Sequence, residues 1–267
     1  MTPEQKRRYN RHIILDGFGT EGQERLLASK VLIVGAGGLG SPCALYLAAA
    51  GVGTIGIADA DIVSVSNLQR QVIHFSDDAG QPKVDSASRK MQRINPEVRV
   101  ETYTDFITAE NAEHIFSRYD FIIDCTDSFA SKYMINDACV LLGKPFCIAG
   151  IVRYSGQIMT HVPGSACYRC LFPEPPHENQ VETCAMVGVL GSAVGTIGTL
   201  QATEAIKYIT GTGTLLTNAI LTYDALGAQF VRMDFERDPL CHLCGSSPTI
   251  TEVSEYSFQP CRAKKQK

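Results

Sequence analysis

The sequence of 267 residues lacks several features that mark particular classes of protein. It has no excess of positive charge: 24 lysines and arginines stand against 28 aspartates and glutamates, a net charge of −4. Proteins that bind nucleic acid usually carry a basic surface, so this balance argues against nucleic acid as a partner. The charged N-terminus also has no apolar core of the kind that a signal peptide needs.

Long apolar runs are scarce as well. The most apolar stretch, residues 186–209, is interrupted by glycines, Ser192, Glu204 and Lys207, which predicts a buried helix and no membrane span. Because no export signal is present, the ten cysteines favour metal ligands or reactive thiols over disulfides. We therefore expect a cytoplasmic protein without a membrane partner.

Strand and helix patterns alternate through the first 150 residues. Residues 30–59 predict a buried strand, a glycine turn, a helix and a second strand, and further strand and helix patterns follow. This alternation predicts a doubly wound, mostly parallel α/β sheet. After Gly150 the alternation weakens, and the segments QIMTHV, AILTYDA and QFVRMDF predict antiparallel strands that extend the sheet.

A glycine-rich turn follows the first predicted strand. Gly35, Gly37, Gly38 and Gly40 form the pattern G-x-G-x-x-G before a predicted helix. The missing Cβ atoms let the backbone approach a phosphate or nucleoside, and the helix N-terminus offers free N–H donors. Asp59 ends the second strand, where a carboxylate binds ribose hydroxyls. We favour a nucleotide site in a Rossmann-like sheet over a turn made for packing, although the motif does not separate NAD, FAD and ATP users.

Charged and amide side chains follow Asp59 in quick succession. Arg70 can grip phosphate oxygens as a fork, and Lys83 can act as a point charge. Together with Asp61, Asn67 and Gln71, they are suited to stabilise charge on a polyphosphate. A solvated basic loop is the alternative.

Two aspartates close another buried strand, in the segment FIIDCTD. Ligands of open α/β sheets bind at the carboxyl ends of strands, which is where Asp124 and Asp127 fall. We expect Asp127 to hold Mg²⁺ beside phosphates. The alternative is that either aspartate caps the next helix.

Four of the ten cysteines form two C-x-x-C pairs, Cys167 with Cys170 and Cys241 with Cys244. Four thiolates are enough for a closed tetrahedral Zn²⁺ site with a structural role. A redox dithiol is the alternative. His242 is expected to be exposed and not to be a ligand.

Five of the six other cysteines are of two kinds. Cys43, Cys125, Cys139 and Cys147 lie in apolar segments and are expected to behave as small hydrophobic residues. Cys184 ends a proline-rich loop, residues 172–183, and precedes the buried helix. It is either a nucleophile activated at a helix N-terminus or an inert thiol, and the sequence leaves both open.

An ordered set of motifs from about Arg8 to Gly245 resembles the MoeB/ThiF/HesA family, bacterial relatives of ubiquitin-activating enzymes. The set is RYNRHIIL, VLIVGAGGLGSP, SNLQRQ, GQPKV, DCTD, CYRCLFP, TLQATEAIK and CHLCG. The resemblance implies an adenylyltransferase that binds Mg-ATP and the Gly-Gly tail of a small ubiquitin-like sulfur carrier. The tail carboxylate attacks the α-phosphate, pyrophosphate leaves, and a separate sulfur donor makes a thiocarboxylate.

The resemblance also implies residue roles. Asp59 would bind the ribose, Asn67, Arg70 and Lys83 would contact the phosphates, and Asp127 would hold Mg²⁺. Arg11 would reach into the site of a neighbouring subunit, which implies a homodimer. The paired cysteines would bind zinc, and the loop before Cys184 would cover the carrier's tail. The expected sulfur donor is a cysteine desulfurase or a rhodanese-like protein, because the chain ends soon after Cys244.

Two positions depart from the family pattern. His12 stands where relatives commonly have Gln and is expected to affect the N-terminal segment alone. Ser128 stands where many have Asn and could alter the surroundings of the metal. We expect one domain over residues 1–267, with a nucleotide-binding part at about 28–150, a carrier-binding and zinc part at about 151–247, and a disordered basic tail at about 248–267.

Two other functions compete with this one. An NAD-dependent oxidoreductase explains the glycine loop and Asp59, but gives Arg70, Lys83 and Asp127 no shared purpose. A non-catalytic scaffold with the same fold is the second. Within the favoured function, the pathway stays open among molybdenum-cofactor, thiamine, cysteine and other sulfur routes.

Overall fold

The computed structural model describes residues 1–176 and 184–256, without the side chains of Cys184 and Ala185. The described chain forms one eight-stranded sheet with helices against both faces. Its strands are β1 (Lys30–Val34), β2 (Thr54–Ala58), β3 (Arg99–Tyr103), β4 (Phe121–Asp124), β5 (Phe146–Val152), β6 (Ser155–His161), β7 (Ala219–Asp224) and β8 (Gln229–Asp234).

Ten α-helices connect or flank these strands in the described residues. They are α1 (Pro3–Arg8), α2 (Asn10–Ile13), α3 (Gly19–Ala28), α4 (Gly40–Ala50), α5 (Lys83–Ile94), α6 (Ala109–Phe116), α7 (Phe129–Leu141), α8 (Tyr168–Leu171), α9 (Cys184–Val187) and α10 (Gly191–Thr210). Short 3₁₀ turns cover Val65–Asn67 and Ser76–Asp78. No helix in this part of the chain combines the length and apolarity that a membrane crossing requires.

The strand order β3-β2-β1-β4-β5-β6-β7-β8 confirms the prediction of a parallel sheet with an antiparallel extension. The first five strands in this order run parallel, and β6, β7 and β8 pair antiparallel. The chain order reverses direction across the sheet between β1 and β4. At such a switch point the carboxyl ends of the two strands leave a crevice for a ligand.

The parallel strands β1, β2 and β4 and the first part of β5 are buried on both faces, as their continuous apolar runs predict, while the edge strand β3 is partly exposed. Along β1, Val31 and Ile33 face one core, while Leu32 and Val34 face the other. The first core lies under α3, α4, α5 and α10, and the second lies under α6 and α7. The helix predicted for residues 186–209 is observed as Gly191–Thr210, a shorter span because α9 and a break at Gly188 precede it.

The prediction of disorder from residue 248 is wrong for residues 248–256. Val253 and Tyr256 pack against the second core. Glu255 accepts a hydrogen bond from the backbone N–H of Ala109 at the start of α6. The charged composition of the tail hid these apolar and capping contacts. Residues 257–267, which hold most of the predicted basic tail, lie outside the described residues.

Candidate active site

A cavity of about 640 Å³ opens at the carboxyl ends of the parallel strands. It extends from the glycine loop along strands β5, β6 and β7, so one space joins the two predicted parts of the chain. Its lining includes these residues predicted for the site: Gly35, Gly37, Gly38, Asp59, Asp61, Arg70, Gln71, Lys83 and Asp127. Gly40, Asn67 and Arg11 are not among the lining residues.

The glycine loop leaves no room for side chains at its two ends. Gly35 has a φ of +101°, and a Cβ there would lie 2.8 Å from the carbonyl oxygen of Cys125. A Cβ on Gly40 would lie 1.9 Å from the carbonyl oxygen of Gly35. Gly40 therefore acts by letting the loop close on α4, and not by lining the cavity.

Asp59 holds the loop from the end of β2. Its Oδ2 accepts the N–H of Ala36 at 2.8 Å, and its Oδ1 accepts the N–H of Asp61 at 2.9 Å. Each carboxylate oxygen has a further lone pair, so Asp59 keeps capacity for hydroxyl donors of a ligand. The geometry is compatible with the predicted contact to ribose.

Lys83 is the first residue of α5 and is only 4% exposed. Its Nζ lies 2.7 Å from Oδ2 of Asp61 and 3.7 Å from Oδ1 of Asp59. Its charge therefore has carboxylate partners in this state of the chain. Asp61 is 62% exposed at its side chain, so it can rotate away when an anion approaches Lys83.

Arg70 lies at the cavity wall with partners that carry no charge. Its guanidinium donates to the backbone oxygen of Ser66 at 3.3 Å and to Oδ1 of Asn67 at 3.0 Å. Asn67 thus orients Arg70 from outside the cavity lining. Gln71 is 4% exposed, and its Oε1 has no hydrogen-bond partner in the described residues.

The two aspartates of β4 have different surroundings. Asp124 is fully buried, pairs with Lys132 Nζ at 3.0 Å and accepts two hydrogen bonds from Thr126. Asp127 is exposed and lines the cavity. Ser128, not Asp127, caps α7 by accepting the N–H of Ser131 at 3.5 Å. Neither aspartate therefore caps α7, and Asp127 is available to a cation.

Several lining residues were not predicted. Phe106 follows β3, Lys132 lies on α7, Gln157 lies on β6, Tyr168 lies on α8 and Tyr223 lies on β7. Phe106 was predictable from the sequence, because it follows the carboxyl end of a parallel strand, where ligands of such sheets bind. The others reach the cavity through the antiparallel pairing and the packing of α7 and α8, which no local motif reports.

Arg11 lies on α2, exposed to solvent and away from the cavity of its own chain. His12 beside it has its Nδ1 3.0 Å from Oε1 of Gln23, and its ring packs on Phe18 at 5.1 Å. Its described contacts are thus confined to the N-terminal helices. Cys184 begins α9, and its side chain lies outside the described residues.

The four paired cysteines come together in space. Their Sγ atoms all lie within 4.8 Å of one another, with Cys167–Cys170 at 3.9 Å, Cys167–Cys241 at 3.7 Å and Cys170–Cys244 at 3.4 Å. These separations are far above a disulfide bond of about 2.05 Å. Tetrahedral Zn–S bonds of about 2.3 Å would place the sulfurs about 3.8 Å apart. His242 is exposed, as predicted.

The remaining described cysteines are buried thiols, as predicted. Cys43, Cys125, Cys139 and Cys147 are all buried without a disulfide. Burial raises the pKa of Cys125, Cys139 and Cys147 well above the ordinary value. They are poor nucleophiles for that reason.

A profile of the ThiF family matches residues 9–243. The chain belongs to the ThiF family. A Thermus thermophilus relative named sulfur carrier protein adenylyltransferase is 45% identical over 261 residues, which are 96% of both chains. The SAMP-activating enzyme E1 of Haloferax volcanii is 45% identical and covers 89% of this ThiF chain and 88% of its own. These findings confirm the family resemblance.

Some relatives are longer. The pig protein named adenylyltransferase and sulfurtransferase MOCS3 is 46% identical over 93% of this chain, which spans 55% of that relative. Among solved structures, E. coli MccB with ATP has a TM-score of 0.77 at 25% identity, covering 92% of this chain and 76% of that one. The eight-stranded sheet is thus the architecture of a ThiF protein and of MccB.

Proposed function

We propose that this ThiF protein adenylates the C-terminal glycine carboxylate of a small ubiquitin-like sulfur carrier, with ATP as the second substrate and pyrophosphate as a product. The observation that carries the proposal is the single cavity, in which the glycine loop, Arg70, Lys83 and Asp127 meet the groove along β5, β6 and β7. The names of the full-length relatives, sulfur carrier protein adenylyltransferase among them, support the same activity.

The charged side chains that line the cavity favour an anionic substrate that binds together with a cation. Three basic side chains line it, but Lys83 is paired with Asp61 and Lys132 with Asp124. Arg70 is left without a carboxylate partner among the lining residues. One unpaired guanidinium is too little for a triphosphate and a carboxylate together.

Two further sources of positive charge complete the proposal. Asp127, exposed at the cavity wall, would hold Mg²⁺ between its carboxylate and the phosphates. Arg11, which lies outside the cavity of its own chain, would enter from a second copy of the chain, as the family resemblance implies. The active form is therefore proposed to be a homodimer.

The chemistry needs positioning more than acid–base catalysis. The attacking carboxylate is already ionised at neutral pH, so no general base is required. Arg70 would balance the charge that develops as the carboxylate attacks the α-phosphorus and the bond to pyrophosphate breaks. The adenylate would then accept sulfur from a separate donor, a cysteine desulfurase or a rhodanese-like protein.

The groove along the antiparallel strands is suited to a narrow, extended tail. Gly156 on β6 lines it and adds no side chain to it. Gln157, Thr222 and Tyr223 supply polar groups beside the apolar Ile151. A tail of small residues can therefore reach the nucleotide end of the cavity.

The cysteine cluster is proposed to hold structural Zn²⁺. Four sulfurs at near-tetrahedral spacing leave no position for a substrate. The site would tie the segment after β8 to α8, which lies beside the cavity through Tyr168.

Carrier-dependent exchange of labelled pyrophosphate into ATP tests the proposal. Purified full-length protein with Mg²⁺ would be assayed against a panel of carriers that end in Gly-Gly. We expect exchange with one carrier, and none when that carrier's last glycine is removed. Exchange with no carrier, in protein that binds ATP, would contradict the proposed activity and favour a scaffold role. Binding of NAD instead of ATP would favour the oxidoreductase.

A further inference from the structure

His74 is a buried histidine that the proposed chemistry does not use. It is 4% exposed and lies between the segment of Arg70 and the start of α5. Its Nε2 is 2.9 Å from the carbonyl oxygen of Ala36, in the middle of the glycine loop. Its Nδ1 is 2.8 Å from Oγ of Ser86 on α5. One ring therefore bridges a helix and the nucleotide loop.

The partners of His74 define where its protons lie. A carbonyl oxygen only accepts, so Nε2 must carry a proton and donate it to Ala36. Lys90 Nζ only donates, and it lies 3.1 Å from Ser86 Oγ. Ser86 thus accepts from Lys90, and its single proton can go to Nδ1 of His74 or to the carboxylate of Asp78. The donor direction from His74 Nε2 to Ala36 is the same in either case.

The charge state of the ring agrees with this direction. Burial lowers the pKa of His74, the bond to Ala36 opposes that effect, and the charges of Lys83 and Lys90 add to it. A neutral ring with a proton on Nε2 has a free lone pair on Nδ1, which is what Ser86 needs. Lys90 is itself held by an ion pair with the buried Asp78.

The bond to Ala36 sets the orientation of a peptide group in the loop. In a planar trans peptide the C=O and the next N–H point in opposite directions. Holding the oxygen of Ala36 against His74 therefore turns the N–H of Gly37 the other way, and Gly37 lines the cavity. The preceding peptide is held separately, because the N–H of Ala36 donates to Asp59 at 2.8 Å.

His74 also belongs to the turn that presents Arg70. Its backbone N–H donates to the carbonyl of Gln71 at 3.0 Å, and Gln71 N–H donates to Asn67 at 3.0 Å. Both Arg70 and Gln71 line the cavity. A shift of His74 would therefore move the phosphate-facing arginine and the glycine loop together.

We propose that His74 is a positioning residue for the nucleotide: through Nε2–H it orients the Ala36–Gly37 peptide so that the N–H of Gly37 faces the ligand. The inference rests on the proposed function, since it takes ATP as that ligand. It assigns His74 no proton transfer and no contact with the reacting atoms.

Two substitutions of His74 test the contact made by Nε2 and the contact made by Nδ1 separately. In His74→Gln the amide nitrogen lies as many bonds from Cα as Nε2 does, so the donor to Ala36 is kept. In His74→Asn the amide lies at the position of Nδ1, so the contact with Ser86 is kept and the donor to Ala36 is lost. Both variants remove the ring, so its packing is lost in each.

A matched control comes from His161 on β6. It is also buried, at 2%, and its Nδ1 lies 3.1 Å from the carbonyl oxygen of Ala166 and 3.3 Å from Ser165 Oγ. It does not line the cavity. His161→Asn and His161→Gln measure what the loss of a buried, hydrogen-bonded imidazole does by itself.

The measurements are the Kd of the full chain for Mg-ATP by calorimetry, and KM for ATP and kcat in carrier-dependent exchange, with Tm as a check on folding. We expect His74→Asn to raise Kd and KM about tenfold, the effect of one hydrogen bond. We expect His74→Gln to stay within about threefold of the wild type. Both should keep kcat within about threefold, and neither His161 variant should change KM.

Equal KM values for His74→Asn and His74→Gln, in wild-type-like folded protein, would overturn the positioning role while leaving the proposed function intact. An increase in KM for the His161 variants as large as that for His74→Asn would overturn it too. A wild-type chain that binds no Mg-ATP would instead contradict the proposed function, and the positioning role with it.

Discussion

The two halves of the sheet differ in strand direction and in burial. Strands β1 to β5 run parallel, are largely buried on both faces except at the edge strand β3, and direct their carboxyl ends at the nucleotide end of the cavity. Strands β6 to β8 run antiparallel, and every residue of β8 is exposed. Burial decreases across the second half, from the largely buried β6 to the fully exposed β8, and polar contacts between distant segments lie beside this half.

Those contacts surround α8 and the cysteine cluster. Arg169, between the cysteines of the first pair, donates to both oxygens of Asp137 on α7 at 2.8 and 2.9 Å. Its guanidinium lies 4.7 Å from the ring centre of Tyr133 and 5.3 Å from that of Tyr256. Tyr133 donates to the carbonyls of Phe172 and Glu174. These polar contacts tie α8 to α7 and to Tyr256 beside the second apolar core.

Loss of the metal should lower the stability of the protein more than any of the substitutions below, and it should act mainly on the antiparallel half. Cys241→Ser should reduce the zinc content from about one ion per chain to nearly none. Structural zinc contributes about 10 kcal/mol or more in small domains, so Tm should fall strongly. Metal analysis and thermal unfolding check this, with the buried, unpaired Cys139→Ser as control. Retention of a full zinc ion and an unchanged Tm would contradict the structural role.

The Arg169–Asp137 pair should be the next most important contact. Arg169→Met leaves Asp137 buried without its cationic partner, which costs about 3–5 kcal/mol. Chemical denaturation measures the loss. The double variant Arg169→Met with Asp137→Asn should recover part of it, because the unpaired charge is gone. A single variant as stable as the wild type would show that the pair does not support this half.

In the parallel half, Arg70→Ala should remove activity without loss of stability. A charged donor aimed at the transition state is worth about 10²–10³-fold in rate. Arg70 is partly exposed and bonded to neutral groups, so its removal leaves no buried charge. We expect exchange to fall by that factor and Tm to stay the same. Arg93→Ala, which removes an exposed cation that does not line the cavity, is the control. Full activity of Arg70→Ala would refute its assignment.

The smallest expected effect is that of Cys184→Ser. Cys184 begins α9, and the attack of an already ionised carboxylate on ATP needs no thiol, so pyrophosphate exchange should stay within about twofold of the wild type. Transfer of sulfur to the carrier should be lost, if the thiol takes part in that later step. Loss of exchange as complete as in Arg70→Ala would show that Cys184 acts in adenylation itself.

The same contrast explains which features were predictable. The glycine loop, Asp59 and Arg70 belong to local patterns of strand, turn and helix, and the structure brings them to one cavity as expected. The two cysteine pairs were also readable, since each is a short motif. That the two pairs lie together is known only from the structure, because about 70 residues separate Cys170 from Cys241.

What could not be predicted depends on contacts between distant residues. Ala36 and His74 are 38 positions apart, and Asp137 and Tyr256 are 119 apart. Neither pair has a pattern of its own in the sequence. The packing of residues 248–256 was hidden for the same reason: Tyr256 finds its partners on α7 and α8, and a polar segment gives no sign of that.

The central claim is that a carrier carboxylate attacks the α-phosphorus of ATP in this cavity. The most direct test labels the C-terminal carboxylate of the carrier with ¹⁸O, forms the adenylate in a single turnover, and releases AMP with hydroxylamine. The account predicts AMP that carries one ¹⁸O atom and a carrier hydroxamate. Unlabelled AMP, or ADP with labelled inorganic phosphate, would contradict attack at the α-phosphorus.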